Sequence, residues 1–200
     1  RLKPGRIRYA LVTNQEGGIL DDVLVYHLQT PGGEGRVLMV VNASNREKIV
    51  RWIEAHCGDA DAQLMDRTEE TAMIAVQGPR AVALVDPLLN VSLGEMKYYT
   101  GAIAELGGQE VVVSRTGYTG EDGCELWVPA EKAVEVWEKL FNQAGSTEVA
   151  PVGLGARDSL RLEAAMPLYG HELSEKIHPF QAGLSFAVQL KDHEFIGCEG

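Results

Sequence analysis

Apolar and polar residues alternate in short runs along most of this chain, and glycine-rich clusters separate the runs. Residues 9–13 form a β-patterned run. The cluster Asn14-Gln-Glu-Gly-Gly18 reads as a turn. Residues 19–29 continue as a long β-rich run, which predicts a hairpin. A second turn at Gly32-Gly-Glu-Gly35 leads to a short buried strand at 37–41. Ser44-Asn-Arg-Glu47 fits a capping box, with Ser44 as N-cap and Glu47 reaching back. The helix that follows presents Ile49, Trp52, Ile53 and Cys57 at helical spacing and stops at Gly58. Further on, 72–76 reads as a strand, and a helix opens at Pro79 and closes at Pro87. Residues 98–104 and 110–114 pair across Gly107-Gly108, and 124–128 form another strand. Residues 131–141 are an amphipathic helix with Ala133, Val136, Trp137, Leu140 and Phe141 on one face. Residues 154–165 read as helix, and 184–190 alternate like a strand.

Strands that pair through short turns, with helices interspersed, predict an α+β fold with antiparallel sheets and flanking helices rather than a doubly wound parallel one. The span 69–146 reads β-α-β-β-β-α, a candidate ferredoxin-like subdomain. No repeat of solenoid length interrupts the pattern.

Composition narrows the classes. Two hundred residues suffice for a hydrophobic core without staples. The net charge of −11 excludes the basic footprint of a nucleic-acid binder and disfavours docking on anionic membranes. No run reaches the roughly 20 apolar residues of a membrane span. Three widely spaced cysteines, Cys57, Cys124 and Cys198, contain no C-x-x-C, which points to a reducing compartment. The five histidines (27, 56, 171, 178, 193) show no ligand spacing, so no metal is expected. Arg1, Lys3, Arg6 and Arg8 form a small basic cluster, either a solvated end or a contact for a polyanionic tail.

Three segments carry candidate chemistry. Asp21-Asp22 lies in a run whose two faces are both mostly apolar. At least one of the two acids therefore meets buried surface, where a carboxylate must be paired or used. The alternative places both at the turn end, solvated or capping amides. The segment Arg115-Thr-Gly-Tyr-Thr-Gly-Glu-Asp-Gly-Cys-Glu-Leu-Trp127 spaces three glycines between two strands. It is either a loop whose backbone approaches a ligand or a long β-turn. Its spacing fits neither a P-loop nor a dinucleotide fingerprint. Glu125 shares a strand face with Trp127, which suits a planar ligand with paired N–H donors and equally suits a polar edge. Gly153-Leu-Gly-Ala-Arg-Asp-Ser-Leu-Arg-Leu-Glu163 enters a helix with Arg157 in its first turn, where a cation opposes the helix dipole. Arg157 has a specific partner there, or the segment is an Asp158–Arg161 surface ladder. Cys124, without a histidine partner in sequence, reads as a core thiol.

Taken together these segments are recognisable. Gly17-Gly-Ile-Leu-Asp-Asp22, Val40-Val-Asn-Ala43, Gln77-Gly-Pro79, Ser114-Arg-Thr-Gly-Tyr-Thr-Gly-Glu-Asp-Gly-Cys-Glu125, Gly155-Ala-Arg-Asp-Ser-Leu-Arg-Leu-Glu163 and Leu168-Tyr-Gly-His171 occur in this order. The chain resembles the aminomethyltransferase (T-protein) family of the glycine cleavage system along nearly all its length. The resemblance implies a piece of a longer protein whose N-terminal segment and C-terminal β-domain are absent. Residues 1–68 and 147–200 would then be parts of a folate-site lobe, and 69–146 the subdomain beside it. One departure is Cys198, where the family usually carries a basic residue.

The resemblance further implies a reaction. Tetrahydrofolate accepts a one-carbon unit from an aminomethyl group on the lipoyl arm of H-protein, giving 5,10-methylenetetrahydrofolate and ammonia. By position, Asp22 matches the family's essential aspartate and Glu125 the acid that accepts the pterin N3–H and 2-amino donors. Arg157 matches a site arginine, and Tyr9, Tyr26, Val41, Asn42 and Tyr118 match pocket-lining positions. Implied partners are lipoylated H-protein and the other glycine cleavage proteins, in a bacterial cytoplasm or, for a eukaryotic source, the mitochondrial matrix. Two other readings share the pocket: the folate domain of a sarcosine or dimethylglycine dehydrogenase, and a non-enzymatic folate-binding factor for iron–sulfur assembly. An upstream FAD-binding Gly-x-Gly-x-x-Gly domain would favour the first, and no such motif lies within these 200 residues. The second is marked by a Lys-Gly-Cys-Tyr type motif, which this sequence lacks.

Overall fold

The structure, a computed structural model, describes residues 2–30, 32–33, 35–58, 60–145, 149–191 and 194–200. Arg1 of the basic cluster, Glu34 of the second turn and His193 lie outside these residues. The described elements are β1 (Arg6–Thr13), β2 (Ile19–Gln29), β3 (Gly35–Val40), α1 (Arg46–His56), β4 (Thr71–Gln77), α2 (Ala81–Val85), β5 (Gly101–Leu106), β6 (Gln109–Ser114), β7 (Gly123–Pro129), α3 (Ala133–Ala144) and α4 (Leu154–Glu163). They build two sheets, β1-β2-β3 and β4-β7-β6-β5. All pairs in the four-stranded sheet are antiparallel. The tight turn after β1, closed by Asn14 N–H on the Gly18 carbonyl, makes β1 and β2 a hairpin. The α+β fold with antiparallel sheets and flanking helices is therefore the observed one.

The described chain divides into two compact units. The first comprises Arg1–Ile7, Tyr26–Arg36 and Arg67–Met166. Its core follows from strand parity. Cys124, Leu126 and Val128 of β7 and Val111 and Val113 of β6 point to one face. There they meet Val85 of α2 and Val136 and Leu140 of α3. The other parity of β7 carries Glu125 and Trp127. Register sets Glu125 between Ala75 of β4 and Ser114 of β6, with Gly101 of β5 next in the row. Small residues thus flank the carboxylate on both sides. β5 and β6 join through Gly107 and Gly108, both at positive φ (61° and 84°), the conformation a two-residue hairpin turn demands.

The second unit comprises Arg8–Val25, Val37–Asp66 and Pro167–Gly200. Its core gathers Ile19, Leu173 and Leu184, with Tyr9, Leu11, Tyr169 and Ala182 packed against them. The last segment is tied to β2 by the Ile19 N–H on the Ile177 carbonyl and the Tyr169 hydroxyl on the Ile19 carbonyl. Along β2 the buried parity changes: Ile19, Asp21 and Val23 are buried at the start, Tyr26 and Leu28 at the end.

Several expectations are corrected. The capping box at Ser44 does not form, because a 3₁₀ turn at Ala43–Asn45 precedes α1 and Asn45 becomes the N-cap. Glu47 pairs with Arg51 instead. Of the predicted α1 face only Ile49 is buried, and Cys57 is exposed. The predicted buried strand at 37–41 is β3, an outer strand with one face in solvent, and Val37 and Met39 are exposed. Trp137 lies on the solvent flank of α3, against Phe141. Residues 184–190 are not a strand. Leu184 and Ala187 bond backward to Pro179 and Leu184, so local turns satisfy their N–H groups and no ladder remains to be made.

The central position of Leu126 yields a stability prediction. Leu126→Ala should lower unfolding free energy by about 2–5 kcal/mol in denaturant titration. Val134→Ala, on the exposed side of α3, should leave it within about 0.5 kcal/mol.

Candidate functional site

The candidate residues fall into two clusters, one in each unit. In the second unit, Asp21 and Asp22 have different surroundings. Asp21 is completely buried and saturated with donors. It accepts from the Asn42 backbone N–H at 3.0 Å, the Asn42 side-chain amide at 2.9 Å and the Asn45 amide at 2.5 Å. Asp22 is half-buried. The Asn42 amide also reaches its Oδ1 at 2.8 Å, and the Tyr9 hydroxyl donates to its Oδ2 at 3.2 Å. Burial pushes the Asp22 carboxyl above the ordinary aspartate range; the Asp21 charge adds to this, while the Asn42 and Tyr9 bonds oppose it. Tyr9 stacks on Phe186 with ring centroids 5.9 Å apart. Val41, beside Asn42, is half-buried. One acid therefore organises the backbone, and the other is a partly accessible carboxylate of raised basicity.

In the first unit the centre is Glu125, only 6% exposed. The Thr116 hydroxyl donates to its Oε2, and Ser114 lies 2.6 Å from Thr116, oxygen to oxygen. Burial pushes Glu125 above the ordinary glutamate range, against the Thr116 bond and the positive charge of Arg157. Arg157, exposed on α4, lies over the Tyr118 ring at 4.5 Å. The neighbouring Asp158 binds Arg161 instead, at 2.8 Å, and Arg161 is buried. Tyr26 meets Trp127 edge to face at 4.8 Å. The Trp127 indole N–H is buried without a hydrogen-bond partner among the described residues. Burial, with the Glu125 charge, pushes the Tyr26 hydroxyl up to about 12. Cys124, on the other face, is pushed up to about 12 by burial, which leaves it an inert core thiol.

Two side chains missed in sequence hold the loop between β6 and β7. Arg115 is buried and donates to the Gly123, Leu93 and Met96 carbonyls and to Asp122. The Gln77 amide donates to the Thr116 and Cys124 carbonyls, bridging both arms of the loop. Its side chain occupies the space that a Cβ on Gly117 or Gly123 would need, at 2.0 and 2.8 Å from its Oε1. That close approach explains two of the three loop glycines. The sequence signal was present in Gln77-Gly-Pro79, but only the β4–β7 register reveals its partner.

A groove along α1 is lined by Arg46, Lys48, Arg51 and Trp52. Its cations are already paired with Asp66, Glu175 and Glu47, so it presents no unneutralised charge. Among the described residues, no group of three or more His, Cys, Asp or Glu is placed to hold a metal ion. No helix there is long and apolar enough to cross a membrane.

With this geometry established, comparison with known proteins is decisive. The GCVT N-terminal domain matches residues 1–192. The chain belongs to the GCVT N-terminal domain family. Curated relatives of this family include the aminomethyltransferase of Geobacillus kaustophilus, 45% identical, covering 98% of this chain and 53% of that protein. That of Synechococcus elongatus is 42% identical, over 98% and 52%. The crystal structure of glycine cleavage system aminomethyltransferase T from Bartonella henselae matches with a TM-score of 0.85 at 33% identity, over 99% of this chain and 52% of that one. The chain thus spans about half the length of the family members it matches. A heterotetrameric sarcosine oxidase from Corynebacterium shares the fold alone, at 14% identity and a TM-score of 0.50.

Burial of Glu125 has a measurable sign. Its pKa is raised on folding, so its ionisation costs stability. The cost is absent below the ordinary glutamate pKa and complete above the folded-state value. Glu125→Gln should therefore match the wild-type thermal midpoint near about pH 4 and exceed it increasingly towards neutrality. A gap that narrows as pH rises would contradict this assignment.

Proposed function

We propose that this chain carries the folate site of a glycine cleavage aminomethyltransferase. In this reading, tetrahydrofolate is the acceptor of a one-carbon unit delivered as an aminomethyl group on lipoylated H-protein, with ammonia released. The observation that supports it best is Glu125. A buried carboxylate with one oxygen held by Thr116 and its other acceptor positions open matches paired N–H donors on a planar ring. The unpartnered Trp127 N–H on the same face is the kind of orphaned polar atom that a polar heterocycle would satisfy. Arg157 and Tyr118 form a charged, aromatic flank suited to an anionic, aromatic ligand.

Reduced folate is already nucleophilic at N5, so the protein needs no Ser or Cys nucleophile. Its task is orientation and proton handling. Asp22 fits the second task, because its raised basicity makes it a better proton acceptor near neutrality. Its negative charge also opposes the positive charge that develops on the one-carbon unit. Asn42 and Tyr9 hold both of its oxygens and fix its direction. The partners in this reading are H-protein and the other glycine cleavage proteins, and the setting is the cytoplasm of a bacterium.

The two acids should fail differently in the protein as its gene encodes it. Asp22→Asn should lower transfer from aminomethylated H-protein by about 100-fold or more while tetrahydrofolate affinity stays within a few-fold. Glu125→Ala should weaken tetrahydrofolate binding, by calorimetry, by at least about 10-fold. Wild-type transfer in the Asp22 variant would end the assignment of that residue.

A further inference from the structure

We infer that Thr116, backed by Ser114, is the positioning residue that orients Glu125 for its ligand. The inference rests on reading Glu125 as the acid that meets the pterin, and it deepens that reading.

The argument is one of proton counting. A threonine hydroxyl has a single proton. Thr116 spends it on Glu125 Oε2. With Glu125 ionised, the donor in the 2.6 Å contact between Ser114 and Thr116 is therefore Ser114. The two hydroxyls form a directed chain ending on a carboxylate. Both are sealed from solvent, Ser114 at 0% and Thr116 at 1% exposure, so water cannot substitute for either. Strand register supports the arrangement from below: Ser114 stands directly opposite Glu125 across β6 and β7. The backbone is fixed from both sides, by Gln77 on the Thr116 carbonyl and by Arg115 next in sequence.

The chain has two consequences. It favours the acceptor form of Glu125, since a carboxylate can only accept. It also fixes Oε2, so the carboxylate plane is set before ligand arrives and its remaining lone pairs are directed at paired N–H donors. Orientation paid for in the free protein is not charged against binding. Neither hydroxyl touches ligand in this scheme; both act through Glu125.

A double-mutant cycle on the whole protein tests it, with tetrahydrofolate as titrant. Thr116→Val removes the hydroxyl while keeping the shape, and should weaken binding by about 10-fold or more. Thr116→Ser should restore affinity to within about 3-fold. In a Glu125→Gln background, Thr116→Val should change affinity by less than about 2-fold. If Thr116→Val fails to fold, Ser114→Ala replaces it in the cycle, with a several-fold loss expected that likewise vanishes in the Glu125→Gln background. Equal losses in both backgrounds, or no rescue by serine, would overturn the inference while leaving Glu125 as the ligand's acid. A Glu125→Gln protein that binds tetrahydrofolate as tightly as wild type would overturn the reading of Glu125 and the inference with it.

Discussion

Burying a carboxylate on the face of a β-sheet constrains everything around it, because an unpaired buried charge costs several kcal/mol. Around Glu125 the constraint is met in layers. Ala75, Ser114 and Gly101 leave room in its row of the sheet. Thr116 supplies a donor. Gln77 and Arg115 hold the loop that brings Thr116 there, and Gly117 and Gly123 let Gln77 approach. Even so the acid stays above its ordinary pKa. Arg157, the cation that acts on Glu125, is itself exposed, and a carboxylate held at such a cost is a candidate for a functional site.

The aspartate pair solves the same problem by dividing labour. Asp21 takes the donors and disappears into the fold, and in doing so it fixes Asn42. Asn42 then steers Asp22, which keeps partial access to solvent. Neighbouring residues on one strand alternate faces, so one acid can serve as structure while the next remains available for chemistry.

Much of this was legible in the sequence. The bounds of β2, the hairpin at Gly107-Gly108 and the inward face of β7 follow from alternation and turn chemistry, and so does the shared face of Glu125 and Trp127. The pairing of Asp21 with Asn42 did not, because it joins residues 21 apart whose contact depends on packing. The capping box at Ser44 failed for a related reason: Asn45 is drawn to Asp21, and the helix start moves with it. The strand expected at 184–190 failed because the alternation of residue types there is not matched by burial: only Leu184 is buried, and local turns take the backbone N–H groups. Thr116 was hidden inside a motif already noticed, since its role depends on a bond across a glycine-rich loop.

The central claim is that Glu125 is the recognition acid of a folate site. A crystal structure of the protein with tetrahydrofolate bound tests it most directly. The account predicts the pterin N3–H and 2-amino groups on the Glu125 carboxylate, with the Thr116 hydroxyl still on Oε2. A bound pterin that leaves Glu125 without a ligand contact would contradict it.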